Sequence, residues 1–273
     1  MNTELYKHSV QLVLSSKVRS CSDMANAMGS ASDTNCHCTD KGHWSHTIES
    51  SDRSASVDLM LSSLFKLIEG RKEVVSLLHT EGQGLVRIFT HREISMASVE
   101  IASSSLATVA RYGFGLCFCA IAYGIALSDE IVSRQTALDF VSEKEVWVDI
   151  AFSDRDLDID SITEMMNLQP LTQHRMGDPI KGNIRGKLHT QNRWAYGFRS
   201  GTESPDSLVR KICDLVMMKG AVIEELGLNQ CGTIVVSVFL NAPDAKLGHI
   251  GLSPETAKLV ARTNCSLSLS VYV

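Results

Sequence analysis

The sequence lacks any apolar run long enough to cross a membrane as a helix. Its most apolar stretch, Phe114 to Leu127, has 14 residues, whereas a membrane-spanning helix needs about 20. The first residues, Met1 to Lys7, contain neither the basic region nor the apolar region of a secretory signal. We therefore expect a cytoplasmic protein with no membrane partner, in which Phe114 to Leu127 is a buried strand that runs into a linker.

Basic residues are scarce relative to acidic ones. The chain has 26 Lys and Arg against 31 Asp and Glu, which gives a net charge of −5. Nucleic-acid binding needs clustered cations that displace counterions, so the composition argues against a nucleic-acid partner. A mildly acidic chain suits a basic protein partner instead, because complementary charge speeds encounter. With 44% hydrophobic and 21% charged residues, the chain has the composition of a soluble globular protein.

The common motifs of catalysis and phosphate binding are absent as well. Neither G-x-S-x-G, nor G-x-G-x-x-G, nor G-x-x-x-x-G-K-[ST] occurs in the sequence. The eight cysteines include Cys117, Cys119 and Cys213 within apolar stretches, which is typical of free thiols that serve as small core residues in a reducing compartment. A thiol on a buried strand is a poor nucleophile. We therefore predict no catalytic residue, no cofactor and no enzymatic activity.

Two clusters suggest metal ligands, but each fails on its spacing. Cys36-His37-Cys38 has one residue between its cysteines, whereas zinc ligands are usually separated by roughly two to four. The alternating acids of 154–160 resemble a calcium loop, yet Ile159 and Met165 stand where that loop needs a glycine and a bidentate glutamate. A polar loop with incidental thiols explains the cysteine cluster without a metal. A helix capped around Ser161 to Glu164 explains the acidic cluster.

Two stretches of the chain, near 84–124 and 232–273, show the same order of features. Each opens with a glycine and a β-branched run, Gly84 to Phe89 in one and Gly232 to Ser237 in the other. Each continues into a helix that ends at Gly113 or Asn264, residue types that accept the left-handed conformation at a helix C-terminus. Each closes with an alternating strand that has one buried face. This order predicts an internal repeat.

The correspondence extends upstream of these stretches. Ser204-Pro205-Asp206 is a strong helix start, and Ser56-Val57-Asp58 holds the same place in the first half. A tryptophan precedes each of these helices, Trp44 in the first half and Trp194 in the second. Each half opens with a predicted strand and a short predicted helix: strands His8–Ser15 and Val146–Phe152, and helices around Asp23–Met28 and Asp160–Asn167.

The shared order is strand, short helix, tryptophan-bearing strand, long helix, strand, helix, strand. It predicts an α+β fold with two tandem repeats, each a small mixed or antiparallel sheet of about four strands with helices packed on one face. Repeat one spans residues 1–125, a helical linker spans 126–145, and repeat two spans 146–273. Repeats of about 130 residues have the usual size of a domain.

The second half carries an insertion that the first half lacks, the stretch from Pro179 to Asn192. It contains glycine and is basic on an otherwise acidic chain, and it predicts a protruding loop or hairpin. Because loops often carry binding function, we predict a partner-binding surface formed by Lys181, Arg185, Lys187, Arg193, Trp194 and Tyr196. The alternatives are a neutral surface insertion and, for the tryptophan, a core anchor that buries a large apolar area.

Several short motifs of repeat two are typical of one bacterial family. The segment Met166 to Pro170 closes the short helix with a turn, Gly177-Asp178 follows, Trp194 lies on a strand, and Leu252 to Glu255 starts the last helix. On these motifs, Val146 to Val273 resembles the family catalogued as domain of unknown function 4279. Repeat one departs from the pattern, since it lacks both the turn and the Gly-Asp pair. The resemblance implies an uncharacterised domain with no catalytic residue to carry over.

The hypothesis that these features favour is a non-enzymatic binding protein. We expect an immunity protein that neutralises a cognate antibacterial toxin by direct binding in the cytoplasm, because small acidic α+β domains of uncharacterised bacterial families resemble such proteins. Two lobes on one linker could clamp a protein partner. The alternative is a two-lobed small-molecule sensor or regulatory domain, which predicts a concave pocket between the lobes. An enzyme of another type and a structural domain of a larger assembly are further alternatives.

Overall fold

Strands and helices follow one another in the same order in both halves of the chain, apart from one short helix that is described in the second half only. The computed structural model describes residues 8–16, 20–29, 36–38, 43–50, 56–71, 74, 82–92, 96–122, 144–180, 186–228, 231–240 and 247–272. The first half contains β1 (His8–Ser16), α1 (Cys21–Ala27), β2 (Cys36–Cys38), β3 (His43–Ser50), α2 (Val57–Glu69), β4 (Gly82–Arg92), β5 (Met96–Ile101), α3 (Ser103–Arg111) and β6 (Gly115–Ala122). The second half contains β7 (Lys144–Asp154), α4 (Ile159–Met166), β8 (Thr172–His174), β9 (Asn192–Ser200), α5 (Pro205–Met218), α6 (Gly220–Glu225), β10 (Gly232–Leu240), β11 (Leu247–Leu252), α7 (Pro254–Arg262) and β12 (Ser266–Tyr272).

The strands form two mixed sheets of six strands each. The first sheet has the order β11-β6-β4-β1-β3-β2, and the second has the order β5-β12-β10-β7-β9-β8. Within each sheet, as far as the described strands go, one neighbouring pair is parallel, β4 with β6 and β10 with β12. The predicted α+β class is confirmed, and each sheet has six strands where the sequence pattern indicated four.

The additional strands lie at the edges of the sheets. β2 and β8 have three residues each, which is too short for hydrophobic periodicity to reveal a strand. Of the predicted linker helix at 126–145, residues 126–143 lie outside the described residues. Its last two residues, Lys144 and Glu145, belong to strand β7 and not to a helix.

Each sheet takes one edge strand from the other half of the chain. β11 pairs antiparallel with β6, with Ile250 opposite Phe118. β5 pairs antiparallel with β12 in the other sheet, with Val99 opposite Leu269. Neither six-stranded sheet is therefore built from one half alone.

The apolar core lies on the helix-facing side of both sheets. Alternate residues of β1 and β7 are buried there, including Leu12, Leu14, Ile150 and Phe152. Helices α2 and α5 pack on these strands, α3 packs on α7, and α7 also contacts β6 of the first sheet. The buried apolar side chains on the helix-facing sides of both halves consequently form one continuous cluster, which we call the main core.

The opposite side of each sheet, which we call the polar face, carries polar side chains among apolar ones. On the first sheet these include Gln11 of β1 and Arg87 of β4, which lie opposite each other. On the second sheet Asp149 of β7 occupies the position across from Gly197 of β9. Gln11, Arg87 and Asp149 are all buried, although burying polar groups costs free energy unless they are hydrogen-bonded.

The helix ends follow the sequence signals. Ser204 is the N-cap of α5, and its hydroxyl accepts a hydrogen bond from the amide of Ser207. Gly113 and Asn264 follow α3 and α7 with φ angles of 67° and 56°. Both predictions are confirmed, because serine caps unpaired amides and the left-handed region favours glycine and asparagine.

An aspartate in the first turn of each long helix makes the same tertiary contact in both halves. The Asp58 carboxylate accepts a hydrogen bond from the amide of Ala102, the N-cap of α3, at 3.1 Å. The Asp206 carboxylate accepts one from the amide of Ser253, the N-cap of α7, at 2.7 Å. This contact holds the start of α2 against the start of α3, and the start of α5 against the start of α7.

The contact at Asp206 leads to a stability prediction. Burial raises the pKa of Asp206, but hydrogen bonds from Ser253, Thr256 and Arg210 outweigh it and lower that pKa overall. The stabilisation is present above the ordinary carboxyl pKa and is lost as pH falls through the lowered value. We expect Asp206→Asn to lower the free energy of unfolding by roughly 1–2 kcal/mol at neutral pH.

Urea unfolding between acidic and neutral pH checks this prediction. The loss caused by Asp206→Asn should shrink at acidic pH, where the wild-type carboxylate is protonated. Glu255→Gln is the matched control, because Glu255 is 71% exposed and lies 4.0 Å from Arg210. An equal loss in both variants would contradict the prediction.

Candidate functional site

The insertion of the second half forms a hairpin. The amide of Ile180 donates to the carbonyl of Lys187 at 3.0 Å, and the amide of His189 donates to the carbonyl of Asp178 at 2.9 Å. Pro179 and Leu188 form an isolated antiparallel bridge between the same two segments. Of the predicted binding residues, Lys181 and Arg185 lie outside the described residues, whereas Lys187 is described and exposed.

The base of the hairpin is held by side-chain hydrogen bonds. The Asn192 carboxamide accepts from the amide of Met176 at 2.7 Å and donates to the carbonyls of Arg155 and Leu157, each at 3.0 Å. Asp178 accepts from the amide of Arg175 at 2.7 Å. The Arg175 guanidinium also contacts both carboxylate oxygens of Asp160 at the start of α4. These contacts fix the base of the hairpin against the loop that precedes α4.

Two large apolar side chains are exposed on and beside this hairpin. Met176 and Leu188 each expose 54% of their surface. Lys187, next to Leu188 in the chain, is exposed as well. We call Met176, Lys187 and Leu188 the hairpin surface. Exposed apolar side chains that lie together, and not those scattered singly, mark surfaces that bind other molecules.

The remaining predicted binding residues point to two different sides of β9. Trp194 is completely buried on the helix-facing side, and its indole nitrogen donates to the Thr163 hydroxyl at 3.1 Å. Tyr196 stacks beside it at 6.5 Å between ring centroids. Trp194 therefore offers no surface to a partner, and the alternative prediction, a core anchor, describes its position.

Arg193 belongs to the polar face, where a charged cluster lies at the foot of the hairpin. Its guanidinium is 3.8 Å from the Asp149 carboxylate. His174 of β8 lies opposite Arg193 and stacks on His189 of the hairpin, with 3.5 Å between ring centroids. Sequence reasoning missed this cluster, although an aspartate inside the apolar strand Val146–Phe152 was a signal.

Asp149 is the buried member of the cluster. Its Oδ1 atom has no hydrogen-bond donor within the part of the chain that the structure describes. Burial raises the pKa of Asp149 to about 6, and the nearby Arg193 only partly offsets this. His174 has a lowered pKa, because of burial first and then of the positive charge of His189 and Arg193.

Gly197 leaves room beside this carboxylate. A Cβ atom at Gly197 would collide with the carbonyl oxygen of Val148 and with the Cβ of Asp149. Two residues after Gly197, the guanidinium carbon of Arg199 lies over the Trp147 ring, 3.8 Å from the ring centroid. A cation above an aromatic ring is attracted by its π electrons, so Arg199 covers Trp147 and does not extend the hairpin surface.

The run of aspartates caps a helix. Asp158 is the N-cap of α4, and its carboxylate accepts from the amides of Asp160 and Ser161. The cap thus lies one turn earlier than the predicted capping segment at Ser161, because helix α4 begins at Ile159. No group of three or more metal-ligating side chains is found among the described residues.

The cysteine cluster of the first half is also arranged differently from the prediction. Cys36 and Cys38 lie on β2 and not in a loop, and Cys38 forms a disulfide with Cys21 of α1. The prediction of incidental thiols is therefore wrong for Cys38. The thiol of Cys36 lies 3.2 Å from Nδ1 of His46. A disulfide is typical of an oxidising compartment, which argues against the reducing environment expected from the sequence.

The comparison with known families assigns the second half. The family model described as domain of unknown function (DUF4279) matches residues 144–273. A DUF4279 domain occupies this part of the chain. Its bounds contain β7 to β12, the hairpin and the charged cluster, and also β11, which completes the first sheet. No curated protein matches the chain. Within the described residues, no helix has the length and apolar character that a membrane span requires.

The charged cluster of the DUF4279 domain leads to a prediction about pH. Because the pKa of Asp149 is raised to about 6, the folded state binds its proton more tightly than the unfolded state does. Stability should therefore fall as pH rises from the ordinary carboxyl pKa through the raised value. We expect Asp149→Asn to abolish this fall and to be more stable than the wild type at pH 8 by roughly 1–3 kcal/mol.

Urea unfolding from pH 4 to pH 8 measures the effect. Asp156→Asn is the control, because Asp156 is an exposed carboxylate in the turn that follows the same strand. If the wild type and Asp149→Asn had parallel pH profiles, the buried carboxylate would not be the cause.

The disulfide of the first half leads to a second prediction. Cys21 and Cys38 are separated by 17 positions, and closing a loop of that size stabilises a protein by about 2–4 kcal/mol. We expect Cys38→Ser to lower the free energy of unfolding by this amount in oxidising buffer. Cys36→Ser, which keeps a hydroxyl near His46, should have little effect. Equal stability of Cys38→Ser and wild type would contradict the prediction.

Proposed function

We propose that the protein is a non-enzymatic binding protein, specifically an immunity protein that neutralises a cognate antibacterial toxin. The observation that carries the proposal is the hairpin surface, where Met176 and Leu188 are exposed and Lys187, next to Leu188 in the chain, is exposed as well. Apolar side chains dominate binding energy at protein interfaces, and a neighbouring cation adds selectivity for an acidic partner. In this proposal the hairpin enters an acidic, partly apolar cleft of the toxin.

The fixed base of the hairpin supports this role. The Asn192 side chain ties the hairpin to the loop before α4 by donating hydrogen bonds to the carbonyls of Arg155 and Leu157, and the Asp178 side chain accepts one from the amide of Arg175 at the base of the hairpin. A surface that is already ordered loses less conformational entropy on binding than a flexible loop does. Lys181 and Arg185, which belong to the insertion, would add positive charge to the contact.

Other parts of the proposal follow from the same role. A protein that acts by occupying a toxin needs no catalytic residue and no cofactor. Its partner is a protein and not a nucleic acid or a membrane, and we place it in the cytoplasm of the producing cell. The Cys21–Cys38 disulfide is the feature that stands against this location, and alkylation of the thiols in intact cells tests it.

We also infer that the chain arose by tandem duplication of one domain. The two sheets have the same order of corresponding strands, and Asp58 and Asp206 make corresponding contacts. Trp44 and Trp194 are both buried at matching places on β3 and β9. The second half carries the hairpin, so in this proposal the first half acts mainly as a scaffold that supplies β5.

The boundary between the halves favours a protein partner over a small-molecule sensor. A sensor predicts a ligand pocket between the two lobes. The described residues at that boundary instead include α3 packed on α7 and the two exchanged edge strands. Their buried side chains belong to the continuous apolar core.

Co-expression with the product of the immediately upstream gene tests the proposal. We expect a stoichiometric complex in a pull-down and protection of cells that express that product. Leu188→Glu should weaken binding at least about tenfold, since a buried charge without a partner costs more than 1.4 kcal/mol. Lys187→Glu should weaken it as well.

Leu59→Glu is the matched control for Leu188→Glu. Leu59 lies on α2 of the first half and is 70% exposed, so the same substitution is made at an exposed leucine far from the hairpin in sequence. It should bind like the wild type. Failure of the wild-type protein to bind or protect would refute the immunity role. If Leu188→Glu and Leu59→Glu weakened binding equally, the hairpin would not be part of the interface.

A further inference from the structure

Two thiols lie side by side on the polar face of the first sheet. Cys117 and Cys119 are two residues apart on β6, so their side chains point to the same face. Their sulfur atoms are 3.5 Å apart. Cys117 is 7% exposed and Cys119 is completely buried. They form a small apolar cluster with Phe89 and Leu85 that is separate from the main core.

A buried guanidinium faces this pair of thiols. Arg87 of β4 is the parallel-strand partner of Cys117, and it is only 6% exposed. Its Nε atom has no hydrogen-bond acceptor within the described part of the chain. A buried cation is stabilised by a nearby negative charge. An ionised Cys117 would supply that charge.

The electrostatics distinguish Cys117 from the other buried thiols. The pKa of Cys117 is lowered, because the Cys119 thiol donates a hydrogen bond to it and Arg87 is close, and these effects exceed that of burial. Burial instead raises the pKa of Cys213 to about 12 and also raises that of Cys265. Thiolates and not thiols react with oxidants.

We propose that Cys117 and Cys119 form a redox-active dithiol, in which Cys117 is the reacting thiolate and Cys119 the resolving thiol. A peroxide is the oxidant. The Cys117 sulfur attacks one peroxide oxygen and breaks the O–O bond, which gives a sulfenic acid and, after uptake of a proton, water or an alcohol. The Cys119 sulfur then attacks the sulfenic sulfur, and the disulfide forms with loss of water.

The backbone allows this bond, and a dithiol reductant should reverse it. Alternate residues of a strand have Cα atoms about 6.6 Å apart, near the upper limit of about 6.8 Å for disulfides.

In the second half, Ser268 and Ser270 occupy the corresponding positions on β12, opposite Val235 and Ser237. The chemistry therefore belongs to the first half and is independent of the hairpin and of the proposed immunity role.

Peroxide treatment of the full-length protein tests the proposal. After alkylation of remaining thiols and digestion without reductant, mass spectrometry should find a Cys117–Cys119 disulfide, which a dithiol removes. Cys213 and Cys265 are internal controls and should remain reduced over the same period. Oxidation of all four cysteines at one rate, or no link between Cys117 and Cys119, would overturn the proposal.

Two variants assign the roles. Cys119→Ser removes the resolving thiol, so a sulfenic acid should persist at Cys117 and react with dimedone. Arg87→Gln removes the cation and should slow oxidation at least about tenfold. If Arg87→Gln does not fold, Cys119→Ser tests the proposal by itself, because it only exchanges a sulfur atom for oxygen. A Cys119→Ser protein that remains unlabelled by dimedone after peroxide treatment would refute the mechanism.

Discussion

The main-chain hydrogen bonds of the exchanged edge strands hold the two halves together. β11 completes the sheet of the first half and β5 completes that of the second, so separating the halves would expose unpaired amides and carbonyls on β6 and β12. Such open edges are costly and prone to aggregate. The packing of α3 on α7 and the main core shared by both halves accompany this exchange, because it brings the helix-facing sides of both sheets together.

The polar face of each sheet lies on the side opposite the main core. The two halves differ there: Gln11, Arg87 and the thiols of β6 lie on the first sheet, and Asp149 and Arg193 lie on the second. In both sheets a buried polar atom lies at the centre with an incomplete set of hydrogen bonds among the described residues. The hairpin extends from the second polar face through the stacked pair His174 and His189.

Local patterns predicted most of the elements because their causes are local. The cap at Ser204 and the left-handed residues Gly113 and Asn264 depend on a few neighbouring amides, and the alternation of β12 reflects its own buried face. The short strands β2 and β8 are not predicted from the sequence, because three residues are too few to show hydrophobic periodicity. Trp194 was assigned to a contact surface because its exposure depends on which side of β9 meets the helices, and a one-residue change of register would reverse it.

The sequence by itself determined the α+β class, the shared order of elements in the two halves, and the presence of a basic insertion in the second, since each depends on residue types at short spacing. Only the tertiary structure decided that β5 and β11 change places, that Cys38 meets Cys21, and that Arg87 faces Cys117. These are contacts between residues distant in the chain. They are fixed by strand pairing and by the packing of the shared core, and no local pattern encodes which distant strand fills an open edge.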